Sequence, residues 1–281
     1  MMKIMKSIRE MKNEIDKHRS QGNSIGFVPT MGFLHEGHLS LIRNSVQRND
    51  CTVVSIYVNP TQFGPGEDYQ QYPRDFKRDE EILSQEGVDY LFACQDKEMY
   101  PDGYKTFVEV HDYQDLMCGA SRPGHFRGVC TVVLKLFNIV KPDRAYFGQK
   151  DAQQAVIIKK MVEDLNLDVQ ISVLPIVRED DGLALSSRNI LLNPKERSVA
   201  RCLYQSLESA KEAFLEGEKK SERIKILIKN HIEKQEVANI DYIEIVNKDT
   251  LKPMSEIIKG KTLIALAVYI GKVRLIDNNI V

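Results

Sequence analysis

The segment Pro29-Thr30-Met31-Gly32-Phe33-Leu34-His35-Glu36-Gly37-His38 carries two histidines three residues apart and two glycines. Imidazole nitrogens can donate hydrogen bonds to phosphate oxygens without placing a permanent charge in the free protein. Gly32 and Gly37 permit close approach of the backbone to a ligand, or positive φ. The apolar run Ser24–Val28 precedes this segment as a strand, and a helical pattern from His38 to Asn49 follows it. A loop that leaves an early strand and opens a helix is where α/β sheets bind ligands. The free N–H groups of that helix suit phosphate. A metal site is the competing chemistry, but the zinc-protease helix spaces its histidines H-E-x-x-H, one residue more than here, and no third ligand is evident. Surface histidines at a helix start are the bland alternative.

Two further segments have the same strand-end character, and a third sits at the domain junction. Thr52–Val58 reads as a buried strand running into Asn59-Pro60-Thr61-Gln62. The side-chain amides of Asn59 and Gln62 are neutral, so they suit a hydroxy acid whose own carboxylate must stay nucleophilic. Asn59-Pro60 equally reads as a plain turn. Gly64–Arg74, with its glycines, prolines and tyrosines, is a candidate lid. Gly148-Gln149-Lys150-Asp151 sits between a short strand and a helix. Lys150 can reach phosphate as a point charge, Gln154 lies one helical turn along the same face, and Asp151 is a possible helix cap. Val177 to Asn189 contains Leu185-Ser186-Ser187-Arg188, either a triphosphate clamp or a simple helix entry.

These loops need a scaffold. Up to about residue 176, apolar runs at Val88–Ala93, Ala145–Phe147 and Val169–Leu174 alternate with helical patterns at Arg74–Gln85, His125–Val140 and Ala152–Leu165. Met5, Ile8, Met11 and Ile15 recur at helical spacing ahead of them. Such alternation predicts βαβ units and a mostly parallel sheet covered on both faces. Beyond it, Pro194–Glu216 and Glu222–Gln235 read as amphipathic helices. Ile240–Val246, Leu263–Ile270 and Val273–Ile276 read as strands, the last two parted by Gly271-Lys272. The expected fold is α/β: a Rossmann-like domain over residues 1–176 and a smaller C-terminal α+β domain over 177–281. The charges, 39 Lys+Arg against 40 Asp+Glu in 281 residues, give no global field toward nucleic acid or anionic membranes. The most apolar stretches, such as Val129–Val140, are too short and too interrupted to span a bilayer. The amphipathic N-terminus lacks the pattern of an export signal. Five scattered cysteines suggest neither a zinc knuckle nor a disulfide framework, and a reducing cytoplasm is the simplest setting.

His35-Glu36-Gly37-His38 after a strand resembles the H-x-G-H signature of the nucleotidylyltransferase and class I aminoacyl-tRNA synthetase superfamily. The longer string Pro29–His38 resembles the pantothenate synthetase family in particular. So do Val58–Phe63, Arg122–Val129, Gly148–Gln154 and Leu185–Asn189, giving five motifs in the family's order between residues 26 and 190. The last ninety residues match only in general character. Two positions depart from the family pattern: Gln149 stands where glutamate is usual, and Leu185 where methionine is frequent.

The resemblance implies an ATP-dependent ligase. ATP and (R)-pantoate would give pantoyl-adenylate and pyrophosphate, and β-alanine would then displace AMP to form pantothenate. It implies an ATP site along Met31, Gly32, Phe33, Leu34, His35, Glu36, Gly37 and His38. That site would continue through Gly148, Gln149, Lys150 and Asp151, then Val177, Leu185, Ser186, Ser187 and Arg188. His38 would be the general acid or phosphate donor that helps pyrophosphate leave, with His35 and Lys150 as its catalytic companions. Gln62, Gln154 and Asn59 would hold pantoate, and Gln62 would also meet β-alanine. Mg²⁺ would accompany ATP rather than occupy a dedicated protein site. A homodimer is implied as well, and the apolar run Thr131–Val140 is a sequence hint of a face near its two-fold axis. Two other readings compete: a nucleotidylyltransferase that leaves AMP on its product, and a non-catalytic nucleotide-sensing module. The intact histidines and Lys150 argue against the second.

Overall fold

Strands buried on both faces need apolar residues at successive positions, whichever way each side chain points. Such runs supply most of the first sheet of the computed structural model, which describes residues 1–281. Its strands are β1 (Lys3–Met5), β2 (Ile25–Thr30), β3 (Cys51–Ile56), β4 (Tyr90–Phe92), β5 (Arg144–Gly148) and β6 (Gln170–Leu174). They are all parallel, in the order β1-β4-β3-β2-β5-β6. Helices α1 (Ile8–Ser20), α2 (Glu36–Arg48), α3 (Phe76–Gln85), α4 (Asp96–Met99), α5 (Cys118–Ser121), α6 (His125–Val140) and α7 (Ala152–Asp164) connect them. Ile25 and Phe27 of β2 point into one core with α1, α6 and α7. Val28 points the other way, into a core with α2 and α3. Gly26 lets α2 lie close on the sheet, since a Cβ there would run into Ser45 and Asn49.

The remainder forms a second layer pair. Helices α8 (Pro194–Ala200), α9 (Cys202–Leu215) and α10 (Ser221–Ile232) pack on an antiparallel sheet of β7 (Ala238–Asn247), β8 (Thr262–Ile270) and β9 (Val273–Ile280). Leu203, Leu207, Ile224, Ile228, Ile264, Leu266 and Val268 fill the core between them. The α/β class and the smaller α+β portion stand as expected.

Three local expectations are corrected. Met5 belongs to β1 rather than to the first helix, which starts at Ile8 behind a Ser7–Glu10 capping box. The segment Pro194–Glu216 is two helices, broken where Arg201 separates α8 from α9. The run Thr131–Val140 is spent on the chain's own core: Val132, Val133, Leu136, Phe137, Ile139 and Val140 are all buried there. Apart from the half-buried Leu134, little apolar surface of this run is left to meet a second copy.

Candidate active site

In the sheet order, β2 is flanked by β3 on one side and by β5 on the other. Connections leave in opposite directions at this point, and the crevice beyond the carboxyl ends is the expected ligand site of an open α/β sheet. The histidine segment leaves β2 there, and the Lys150 turn leaves β5. A cavity of about 1080 Å³ opens between them and reaches across to β9.

The histidine segment reverses direction through two consecutive left-handed residues, Gly32 (φ 82°) and Phe33 (φ 50°). Phe33 in this region costs about 1–2 kcal/mol. The buried carboxylate of Asp79 offsets that cost by accepting the N–H groups of Phe33 (2.7 Å) and Leu34 (2.8 Å). The chain then enters α2 with His35 as its N-cap. His35 Nδ1 accepts the N–H of Gly37 at 3.1 Å, and the His35 N–H reaches His38 Nδ1 at 3.4 Å. A backbone N–H can only donate, so both Nδ1 atoms are acceptors. In a neutral ring the proton must then sit on Nε2. Burial holds both rings neutral. His35 is lowered to about 4 by burial and then by the Lys150 charge. His38 is held well below its ordinary value by burial, then by His35 and Lys150. The pair is thus two uncharged Nε2–H donors, with ring centroids 4.1 Å apart.

Gln62 stands on a 3₁₀ turn (Pro60–Gln62) whose position is set by α6. Gly128 makes the contact possible, because a Cβ there would run into the Thr61 backbone. Asn59 is buried behind Gln62 and does not line the cavity. Its Nδ2 donates to Gln62 Oε1 (3.1 Å) and to the Gly128 carbonyl (3.1 Å). Its Oδ1 accepts from the hydroxyls of Thr61 and Tyr100. With those groups engaged, Asn59 orients Gln62 rather than facing a ligand, a correction to the expectation from sequence. Gln154 lines the cavity, and its side chain makes no hydrogen bond within the chain.

Lys150 rides on the 3₁₀ turn Gln149–Asp151, 3.6 Å from Asp151. Asp151 precedes α7 but makes no side-chain cap. Ser187 and Arg188 approach from the other side. The Ser187 hydroxyl donates to the Phe33 carbonyl at 3.3 Å, and Arg188 is forked onto Asp68 (2.6 and 2.9 Å). Asp68 lies in the Gly64–Arg74 segment, whose neighbour Glu67 is held just as closely by Arg122 (2.7 and 2.6 Å).

The cavity lining includes Met31, His35, Gly37, His38, Gln62, Gly148, Lys150, Asp151, Gln154, Val177, Leu185, Ser186, Ser187 and Arg188. Gly32, Phe33, Leu34, Glu36 and Gln149 fall outside it. Leu34 is in the core, Phe33 lies under the Arg78 guanidinium, Glu36 pairs with Arg43, and Gln149 faces Asn278. Lys272, Arg274, Asp277 and Asn278 also line the cavity. No motif marked them, because their place depends on how the second sheet docks.

A parallel sheet whose switch-point loop presents uncharged imidazoles toward a facing lysine and arginine defines a nucleotide-binding α/β enzyme. The profile of the family described as pantoate-beta-alanine ligase matches residues 3–280, and the chain belongs to that family. It is 58% identical over 280 residues to the pantothenate synthetase of Caldicellulosiruptor saccharolyticus, covering 100% of this chain and 99% of that protein. It is 56% identical to the pantothenate synthetase of Thermotoga neapolitana, with 99% of each covered. The crystal structure of pantothenate synthetase from Thermus thermophilus superposes with a TM-score of 0.94 at 43% identity, covering 99% of both chains. The Francisella tularensis pantoate-beta-alanine ligase, complexed with beta-gamma ATP and beta-alanine, gives 0.82 at 38% identity, covering 100% of this chain and 98% of that one.

Proposed function

We propose that the cavity condenses (R)-pantoate with β-alanine to pantothenate through a pantoyl-adenylate, consuming ATP and releasing pyrophosphate and AMP. The observation that carries this reading is the convergence on one cavity of phosphate donors and neutral amides. His35, His38, Lys150, Ser187 and Arg188 supply the first, and Gln62 and Gln154 the second.

The triphosphate lies across the α2 N-terminus, taking the Nε2–H groups of His35 and His38, with Lys150 and Arg188 opposite. These groups stabilise the charge that builds on the departing pyrophosphate. His38 acts as a hydrogen-bond donor rather than as a proton donor, since a buried neutral imidazole holds its proton tightly. Pantoate rests on Gln62 and Gln154. Being uncharged, they orient its hydroxyls without pairing off the carboxylate that attacks the α-phosphorus, and a cation in their place would bind the ground state at the expense of the attack. β-Alanine then meets the acyl carbon beside Gln62 and displaces AMP. Mg²⁺ would accompany the triphosphate and supply further charge neutralisation there. Asp151, which lines the cavity beside Lys150, is a carboxylate that would be available to it.

Gly64–Arg74 serves as the lid that keeps water from the adenylate. Residues 1–176 form the binding lobe and 177–281 the lobe that closes on it. The enzyme works in the cytoplasm as a homodimer. All five cysteines are free, and no helix is long and apolar enough to cross a membrane.

Labelled pyrophosphate should exchange into ATP when pantoate is present and β-alanine absent, and Gln62→Ala and Gln154→Ala should both depress that exchange. No exchange, together with full synthesis once β-alanine is added, would replace the adenylate with a concerted three-substrate reaction.

A further inference from the structure

Lys150 stands on a turn that is poorly held by its own segment. The 3₁₀ turn is three residues long, Gly148 gives no side-chain cap, and the Asp151 side chain caps nothing in α7. The hold comes from β9. Asn278, 3% exposed, donates through both hydrogens of Nδ2, to the carbonyl of Gln149 at 2.9 Å and to that of Lys150 at 3.0 Å. Its Oδ1 accepts from Gln149 Nε2 at 3.2 Å. The amide thus makes three bonds, all to the turn that carries the lysine.

Asn278 is itself seated. Its N–H donates to Asp277 Oδ1 at 2.8 Å. The buried Asp277 carboxylate also takes a fork from Arg178, at 2.7 and 2.9 Å. Arg178 belongs to the segment that runs on to Ser187 and Arg188, donates to the Gly182 carbonyl, and lies over the Tyr204 ring. One dipeptide of β9 therefore holds the Lys150 turn with its second residue and the base of the Ser-Ser-Arg segment with its first.

From this geometry we infer that Asn278, seated by Asp277, is a positioning residue for Lys150. It does not touch the reacting atoms. It fixes the backbone from which a flexible four-carbon side chain reaches the phosphates. A misplacement of about 1 Å in such a group can lower a rate by about 10²-fold. The inference rests on the reading of Lys150 as a phosphate-contacting residue.

The test is a double-mutant cycle on the full-length enzyme, with kcat/KM for ATP measured at saturating pantoate and β-alanine. Asn278→Ala alone should lower it by about tenfold or more. In a Lys150→Ala background the same change should cost less than about threefold, because the group it positions is gone. A merely structural role would lower both backgrounds by the same factor, and that additivity, or an unaltered rate in the single variant, overturns the inference. Lys150→Ala at the wild-type rate would overturn the reading of Lys150 instead. Should Asn278→Ala fail to fold, as thermal unfolding would report, the cycle is run with Asn278→Ser. The serine hydroxyl keeps one donor at the turn and should give a smaller loss that again vanishes without Lys150.

Discussion

The histidine loop and the wall opposite it present donors toward the same space but are assembled in different ways. The loop shapes itself largely from its own sequence. Two left-handed residues turn it, the His35 N–H donates to the His38 ring, and the Gly37 N–H donates to the His35 ring. From a distance Asp79 holds the Phe33 and Leu34 N–H groups, Arg78 the Leu34 carbonyl and Ser187 the Phe33 carbonyl. The wall borrows nearly everything. Arg188 is aimed by Asp68, 120 positions away, and Lys150 by Asn278, 128 positions away. The first needs only β2, α2 and α3 of the first sheet's layer to pack. The second exists only when both sheets have docked. Chemistry of one kind can therefore rest on local or on global order.

If the two halves carry equal chemistry, breaking either should cost alike. His38→Ala and Lys150→Ala are each expected to lower kcat/KM by roughly 10²-fold or more, the usual scale for losing a charge-stabilising group in the transition state. Near wild-type turnover in either variant would remove that half from the mechanism. The tether between lid and wall gives a smaller effect. Asp68→Asn removes the charge that forks Arg188, so the lid should sit less firmly over the adenylate and let water in. AMP released should then exceed pantothenate formed, by about twofold. A strict one-to-one ratio by chromatography would show that the tether does not guard the intermediate.

The smallest effect belongs to the loop and concerns pH. His35 is lowered to about 4 from 6.5 by burial and Lys150, and His125 to about 4 by burial and Arg122. His38 is lowered too, chiefly by burial. Between pH 6.5 and about 4 the unfolded chain binds protons that the folded chain refuses, so stability rises with pH across that window. It is fully present above 6.5 and is lost as pH falls toward 4. The melting temperature should therefore drop between pH 7 and pH 5. His35→Gln, which cannot titrate, should show a shallower drop, and equal slopes would contradict the assignment.

The same contrast explains what was legible in the sequence. The strands of the first sheet announce themselves because Ile25–Val28, Val53–Val54 and Ala145–Phe147 are buried on both faces and apolar throughout. The histidine loop is legible for the same reason that it is self-shaped: its geometry is written within ten residues. Strand β1 was hidden because three residues are too few for a pattern, and Met5 happened to fall in step with the next helix. Asn59 is ambiguous in sequence because an amide at a strand end looks alike whether it faces a ligand or a neighbouring glutamine. Only Gly128 and Tyr100, packed from elsewhere, decide which. Asp277 and Asn278 carried no signal, since everything they hold lies about a hundred positions or more away.

The fixed tautomers of the histidine pair have a consequence for turnover and ionic strength. Two donors without charge attract phosphate only at contact distance, so mobile ions have little to screen there. Long-range attraction falls to the cations of the cavity wall, Lys150, Lys272 and Arg188, with Arg188 already partly neutralised by Asp68. Added salt should slow the arrival of ATP less than it would if both histidines carried a charge. Pyrophosphate, once formed, has fewer ion pairs to break on its way out.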